Sequence, residues 1–211
     1  MRRNEFIMES DLKEIEKVAK YATSQERLRS IIEGEYGNNS AIITRVVNNP
    51  KCGVELLEEM AYHHNSLVRY EVAKKSKKIT NKKVLTHLAM DPCIEVRVAL
   101  MSTTTNFEIK SLLYRHNKKN TTIAGLYLSV SKDLKEINKY INTVSKTILY
   151  EIASYLLSNE NLTEEELINF IKASKSIMLG HKNTILEHPG CTKNVLEALI
   201  NKMSVSSGFI K

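Results

Sequence analysis

The feature that most constrains this chain is a self-similarity at a period of roughly 28 residues, a spacing at which recurrence marks stacked helical units. "NSLVRYEVAKKSKKITNKKVLTHLAM" lies over "NNSAIITRVVNNPKCGVELLEEMA" upstream and "PCIEVRVALMSTTTNFEIKSLL" downstream. In that register Ile42, Val68 and Val96 coincide, as do Val46, Val72 and Leu100. Helix-start signals recur with it at Thr23, Gly53, Thr80, Thr105, Asp133, Thr163 and Thr192. Thr23 with Glu26, Thr105 with Glu108, Asp133 with Glu136 and Thr163 with Glu166 form capping boxes, in which side chain and backbone satisfy each other's first-turn donors.

The fourth residue after each start is Arg27, Leu57, Val84, Ile109, Ile137, Leu167 or Leu196, and the eighth is Ile31, Ala61, Leu88, Leu113, Ile141, Ile171 or Ile200. These positions lie on one helical face and predict its burial. A second apolar helix follows, as in "LVRYEVA", "IEVRVAL" and "TILYEIASYLL". One such hairpin cannot bury its own stripe, so the units must stack. The expected fold is all-α, a right-handed or left-handed α-solenoid of about six to seven hairpins, forming one domain over 1–211. A capping helix is expected over about 10–22, repeats over 23–203 and a loose tail over 204–211.

Composition agrees with this fold: 42% apolar residues supply a core, while 7 Gly, 3 Pro, 6% aromatics and no Trp leave few sharp turns and few aromatic pockets. No apolar run reaches the roughly 18 residues of a membrane span, and "MRRNEFIMES" has no apolar stretch behind its basic residues, so a cytoplasmic protein is expected. Cys52, Cys93 and Cys191 include no CxxC and are read as free thiols. Cys52 and Cys191 share a repeat position about five units apart, on the order of 50 Å at one helix diameter per unit, too far for a disulfide.

"NNPKCGVELLEEMAYHHNSLVRYEVA" and "VLTHLAMDPCIEVRVAL" resemble the leucine-rich repeat variant family, a relative of HEAT and armadillo repeats. The matching residues are Asn49, Pro50, Val84, Leu85, Leu88, Ala89, Asp91, Pro92, Val96 and Arg97, with Val68, Arg69, Val72 and Ala73 in the copy before. "HPGCTKNVLEALI" repeats the opening part, while Ala124 and Gly125 stand where Val and Arg are expected. The resemblance implies an α-solenoid that serves as a binding surface, with no catalytic residues to carry over.

A formal charge of +7 makes acidic partners plausible, and "KKSKKITNKK" places six lysines in ten residues. Lys74, Lys75, Lys77, Lys78, Lys82 and Lys83 occupy a loop between units, where they are either a solvated elbow or, with Arg69 and Arg97 beside them, a phosphate-binding edge. Lys118 and Lys119 would extend that edge. Arg69 and Arg97 hold equivalent positions and could instead form an internal ladder to loop carbonyls or to Asp91. His63, His64 and Asn65 lack a third ligand at suitable spacing, and no metal or cofactor is expected. The tyrosines at 62, 70, 114, 127, 140, 150 and 155 are scattered and do not form a base-stacking set.

The leading expectation is a non-catalytic scaffold binding a protein or peptide along a concave helix face. Its alternative is nucleic-acid binding by the basic edge, with a HEAT-like DNA glycosylase as a remote third.

Overall fold

The computed structural model describes residues 2–174 and 179–206, with side chains over 11–174 and 180–204. Among them are fourteen α-helices and no strand: α1 (Arg2–Tyr21), α2 (Gln25–Glu33), α3 (Ser40–Asn48), α4 (Val54–Met60), α5 (Ser66–Ala73), α6 (Lys82–Ala89), α7 (Ile94–Thr103), α8 (Phe107–His116), α9 (Thr121–Leu128), α10 (Leu134–Thr143), α11 (Lys146–Leu157), α12 (Glu164–Ala173), α13 (Leu179–Leu186) and α14 (Lys193–Ser206). α1 begins before the expected cap, and α14 runs to Ser206. The remainder of the tail expected at 204–211 lies outside the described residues.

The chain gathers into two compact units, Met1–Leu113 and Tyr114–Lys211. In the first, α1, α3, α5 and α7 pack each on the next but one, and α4 and α6 pack on the helices that follow them. In the second, α9, α11 and α13 form one such row and α10, α12 and α14 another.

The apolar register appears in the core. Ile42, Val68 and Val96 are fully buried, as are Val46, Val72 and Leu100. The stripe at the fourth and eighth positions is buried from α4 to α12. It fails on α14, where Leu196 is 38% and Ile200 61% exposed while Val195 and Leu199 are buried. The buried face there, which packs on α12, is rotated by one residue from the expected one.

Helix starts at Gly53, Asp133 and Thr163 stand as expected, and Thr163 with Glu166 makes a complete capping box. Three others move by one residue. Ser24 caps α2 in place of Thr23, Asn81 caps α6 in place of Thr80, and the Asn106 side chain accepts from Ile109 N–H in place of Thr105. In each case a better cap stands next to the threonine. Glu136 turns away from its own cap and pairs with Lys118 at 2.9 Å.

A second periodicity consists of polar side chains inside the fold. Asn49, Ser76, Thr104, Ser131, Asn159 and His188 recur at nearly constant spacing, each buried in the loop after a helix of the α3, α5, α7, α9, α11, α13 series. All but Ser76 accept from the backbone N–H two residues on, at 2.8 to 3.2 Å, which closes the turn leading to the next helix. Several hook back onto the preceding loop. Asn49 donates to the carbonyls of Ala19, Lys20 and Ala22, Asn159 donates to those of Leu128 and Ser131, and His188 Nε2 meets the Asn159 carbonyl at 3.0 Å. Buried loop backbone is thereby satisfied, as a chain of short connections requires. No helix among the described residues is long and apolar enough to cross a membrane.

Candidate functional site

Of the two arginines of the expected edge, Arg69 is buried and Arg97 half-buried, and both bond loop carbonyls. Arg69 pairs with Asp91 through Nε to Oδ2 at 2.6 Å and Nη2 to Oδ1 at 3.0 Å, and its Nη1 donates to the carbonyls of His63 and His64, both at 2.8 Å. The side chains are 11% and 1% exposed. Burial alone would raise the Asp91 carboxyl, but hydrogen bonds from Arg69 and from Cys93 N–H outweigh it and hold the group below the ordinary carboxylate range. Arg97 repeats half of this arrangement. Its Nη1 donates to the carbonyls of Asp91 and Pro92, in register with Arg69 on His63 and His64. Where the register would place an acid for Arg97, the sequence has Lys119.

Of the lysine run expected in one loop, only Lys74, Lys75, Lys77 and Lys78 lie between α5 and α6, while Lys82 and Lys83 open α6 behind the Asn81 cap, and the members divide. Lys74 is tied to Glu71 at 3.0 Å and sits 5.3 Å from the centre of the Tyr70 ring, while Lys82 pairs with Glu108. Glu71 also takes Asn48, and Glu58 takes Asn81. Among the described residues Lys75, Lys77, Lys78 and Lys83 have no such partner.

A 3₁₀ turn over Ser76–Lys78 sets their directions. Ser76 is buried, 2.8 Å from the Thr103 hydroxyl, and Ile79 is buried below it, so Lys77 and Lys78 are driven outward. Lys75 and Lys78 lie close enough to Cys52 to act on its thiol, which burial nonetheless pushes up to about 11. Lys77 acts in the same way on Lys110, whose ammonium is held below its ordinary pKa first by burial and then by Lys77, and which donates to the Met101 carbonyl at 3.1 Å. The 3₁₀ turn thus brings lysines toward the α3–α4 loop, which carries Cys52, and toward α8, which carries Lys110. Lys118 and Lys119 belong to the second unit, Lys118 in its pair with Glu136 and over the Tyr114 ring at 5.1 Å.

Sequence reasoning did not find Lys51 or Lys110. Lys51 lies two residues after the buried Asn49 and is exposed, while Lys110, on α8, is close enough to Lys77 to interact with it. A loop register anchored on the buried polar residues would have found the first.

The opposite loops carry histidines. His63 Nδ1 accepts from Asn65 N–H at 3.0 Å, which places the ring proton on Nε2, and the ring stacks on His64 with centroids 4.2 Å apart. Burial first, then His64 and Arg69, hold the His63 pKa below its ordinary value, outweighing backbone hydrogen bonds that act the other way. A folded-state pKa below the unfolded one means that the unfolded chain binds the proton first. Stability is then complete above the ordinary histidine range near 6.5 and falls as pH drops through it toward the folded value. Denaturant unfolding is expected to show this loss setting in as pH falls below about 6.5, and His63→Asn to remove it. Asparagine closes the same turn at 49 and 159 without titrating. An unchanged pH profile in His63→Asn would refute the assignment.

In three comparisons, with protein-family models, with curated proteins and with solved structures, nothing matches this chain. The leucine-rich repeat variant resemblance therefore rests on its motif residues.

Proposed function

We propose that the chain is an α-solenoid of hairpin repeats, related in kind to leucine-rich repeat variant and HEAT proteins, and that it serves as a non-catalytic scaffold for a protein or peptide partner. The solenoid is supported by two registers that agree at roughly 28 residues, the apolar one on the helices and the polar one in the loops.

The observation that carries the binding role is the outer face of α3, α5 and α7. These helices pack side by side, and their outward positions make one continuous strip: Arg45 and Asn48, then Leu67, Tyr70 and Glu71, then Val98 and Ser102. Leu67 is 65% exposed. Asn48 and Lys74 both bond Glu71, which fixes the polar part of the strip before any partner arrives. A long surface with an apolar centre and a prearranged polar rim suits an extended partner better than a small molecule.

The test is affinity capture from a lysate of the source cell, with wild type beside Leu67→Asp and Val98→Asp. A discrete partner is expected that survives high salt and weakens about tenfold or more in either variant, as truncation at an interface centre does. A partner that both variants hold as well as wild type, or no partner at all, would overturn the reading.

A further inference from the structure

We propose that the loop edge of the first unit, formed by Lys51, Lys75, Lys77 and Lys78 with Lys110 at its margin, binds the phosphate backbone of duplex nucleic acid without reading its bases. This surface is separate from the helix strip above, and it stands or falls independently of the scaffold reading.

The edge is built around the 3₁₀ turn. Buried Ser76 and Ile79 fix that turn from inside, and the lysines between and beside them have one way out. Lys75 and Lys78 approach the loop that carries Lys51, and Lys77 approaches Lys110. The cationic strip therefore covers the α3–α4 loop, the α5–α6 loop and the first turn of α8. Acids that could neutralise it are committed at its flanks: Glu71 to Lys74 and Asn48, Glu108 to Lys82, and Glu58 to Asn81. Like charges held together without counter-charges cost stability, and a polyanion that displaces their counterions recovers it.

The chemistry of the strip selects the ligand. An ammonium is a compact point charge with rotatable donors that takes phosphate and carboxylate oxygens alike, so the density of charge along the strip, and not the donor type, favours a regularly spaced polyanion. The arginines beside this edge, Arg69 and Arg97, hold their guanidinium groups on Asp91 and loop carbonyls. Single strands are held by a series of aromatic rings on which bases stack. Here Tyr70 lies under the Lys74 ammonium, Tyr21 lies under Lys20 at 4.9 Å, and α8, which carries Lys110, has a single exposed Phe or Tyr ring among the described residues, Phe107, in place of a series. Phosphate contacts with neither base readout nor stacking describe non-specific duplex binding.

The experiment titrates the full chain into a short fluorescent duplex of arbitrary sequence over a series of salt concentrations, with single-stranded DNA and polyglutamate in parallel. The logarithm of affinity should fall linearly with that of salt, and each phosphate contact removed should reduce the slope by about 0.9. The Lys75→Gln, Lys77→Gln, Lys78→Gln triple variant should thus lose about 2.7 from the slope and most of the affinity at physiological salt. The Lys82→Gln, Glu108→Gln double variant, which removes a paired lysine together with its acid and leaves the net charge unchanged, should stay within about twofold of wild type, as expected for a lysine making no phosphate contact. Thermal unfolding of each variant confirms that these exposed changes leave the fold in place. Absent or salt-independent duplex binding, tighter binding to polyglutamate or to single strands, or equal losses in the Lys82→Gln, Glu108→Gln double variant and the triple variant would each overturn the proposal.

Discussion

Asp91→Ala is expected to destabilise the first unit by about 3–5 kcal/mol, the cost of leaving a buried charge without its partner. The pair is nearly closed to solvent and doubly hydrogen-bonded, and the same carboxylate accepts from Cys93 N–H at 2.9 Å, which closes the turn into α7. Alanine removes the charge and the turn together. Asp91→Asn separates them, since the amide oxygen still accepts from Cys93 while Arg69 loses its counter-charge, so it should fall between wild type and Asp91→Ala. Replacing both partners, Arg69→Met with Asp91→Leu, should recover only part of the loss, because Arg69 also holds the carbonyls of His63 and His64. Acid should reproduce the effect in wild type. Asp91 titrates below the ordinary carboxylate range, so its contribution is complete above that range and is lost as pH falls through the folded-state value. Urea unfolding followed on α5 and α7 amides by hydrogen exchange measures the series. An Asp91→Ala loss under about 1 kcal/mol would show that water reaches the pair and screens it.

The same pair shows what the chain discloses before it folds. Arg69 and Arg97 share a repeat position, and both the ladder and the phosphate edge follow from that fact. Choosing between them required the place of Asp91, a residue on another loop whose approach is a tertiary event. The lysine run behaves likewise. Its loop was legible because helices of recognisable register flank it, and Glu71 on Lys74 is an i,i+3 pair that helical spacing allows. Glu108, by contrast, takes Lys82 from 26 residues away, and no local pattern states where it reaches. Caps were legible to within one residue, since threonine beside serine or asparagine leaves two candidates that backbone geometry alone separates. On α14 the apolar residues at 195, 196, 199 and 200 offer two adjacent faces, and packing against α12 chose the one that buries Val195 and Leu199. The buried polar series was present in the sequence but concealed by its chemistry. Asparagine, serine, threonine and histidine perform one role there, accepting from the N–H two residues on, and a search by residue type does not group them.

That shared role makes Asn159 the most consequential side chain of the second unit. It is fully buried, its amide donates to the carbonyls of Leu128 at 2.6 Å and Ser131 at 2.8 Å, and its oxygen accepts from the Asn161 backbone at 3.0 Å and side chain at 2.8 Å. Asn159→Ala strands two buried carbonyls and opens the turn to Asn161, and is expected to cost about 2–6 kcal/mol, at roughly 1–3 kcal/mol for each buried group left unsatisfied. Asn159→Asp should be no milder, although it is nearly the same shape. Its carboxylate preserves the turn to Asn161 but cannot donate, and it sets a negative charge against two carbonyl oxygens. The effect should appear where the hydrogen bonds end, as faster amide exchange in the last turn of α9 and in the loop from α11 to α12, with the His188 contact to the Asn159 carbonyl loosened in turn. Asn49 makes the same contacts one unit earlier, to Ala19, Lys20 and Ala22, so Asn49→Ala should lose a comparable amount from the first unit. A cost confined to one of the two asparagines would mean that the loop register is an accident of spacing, and the solenoid would lose one of its two supports.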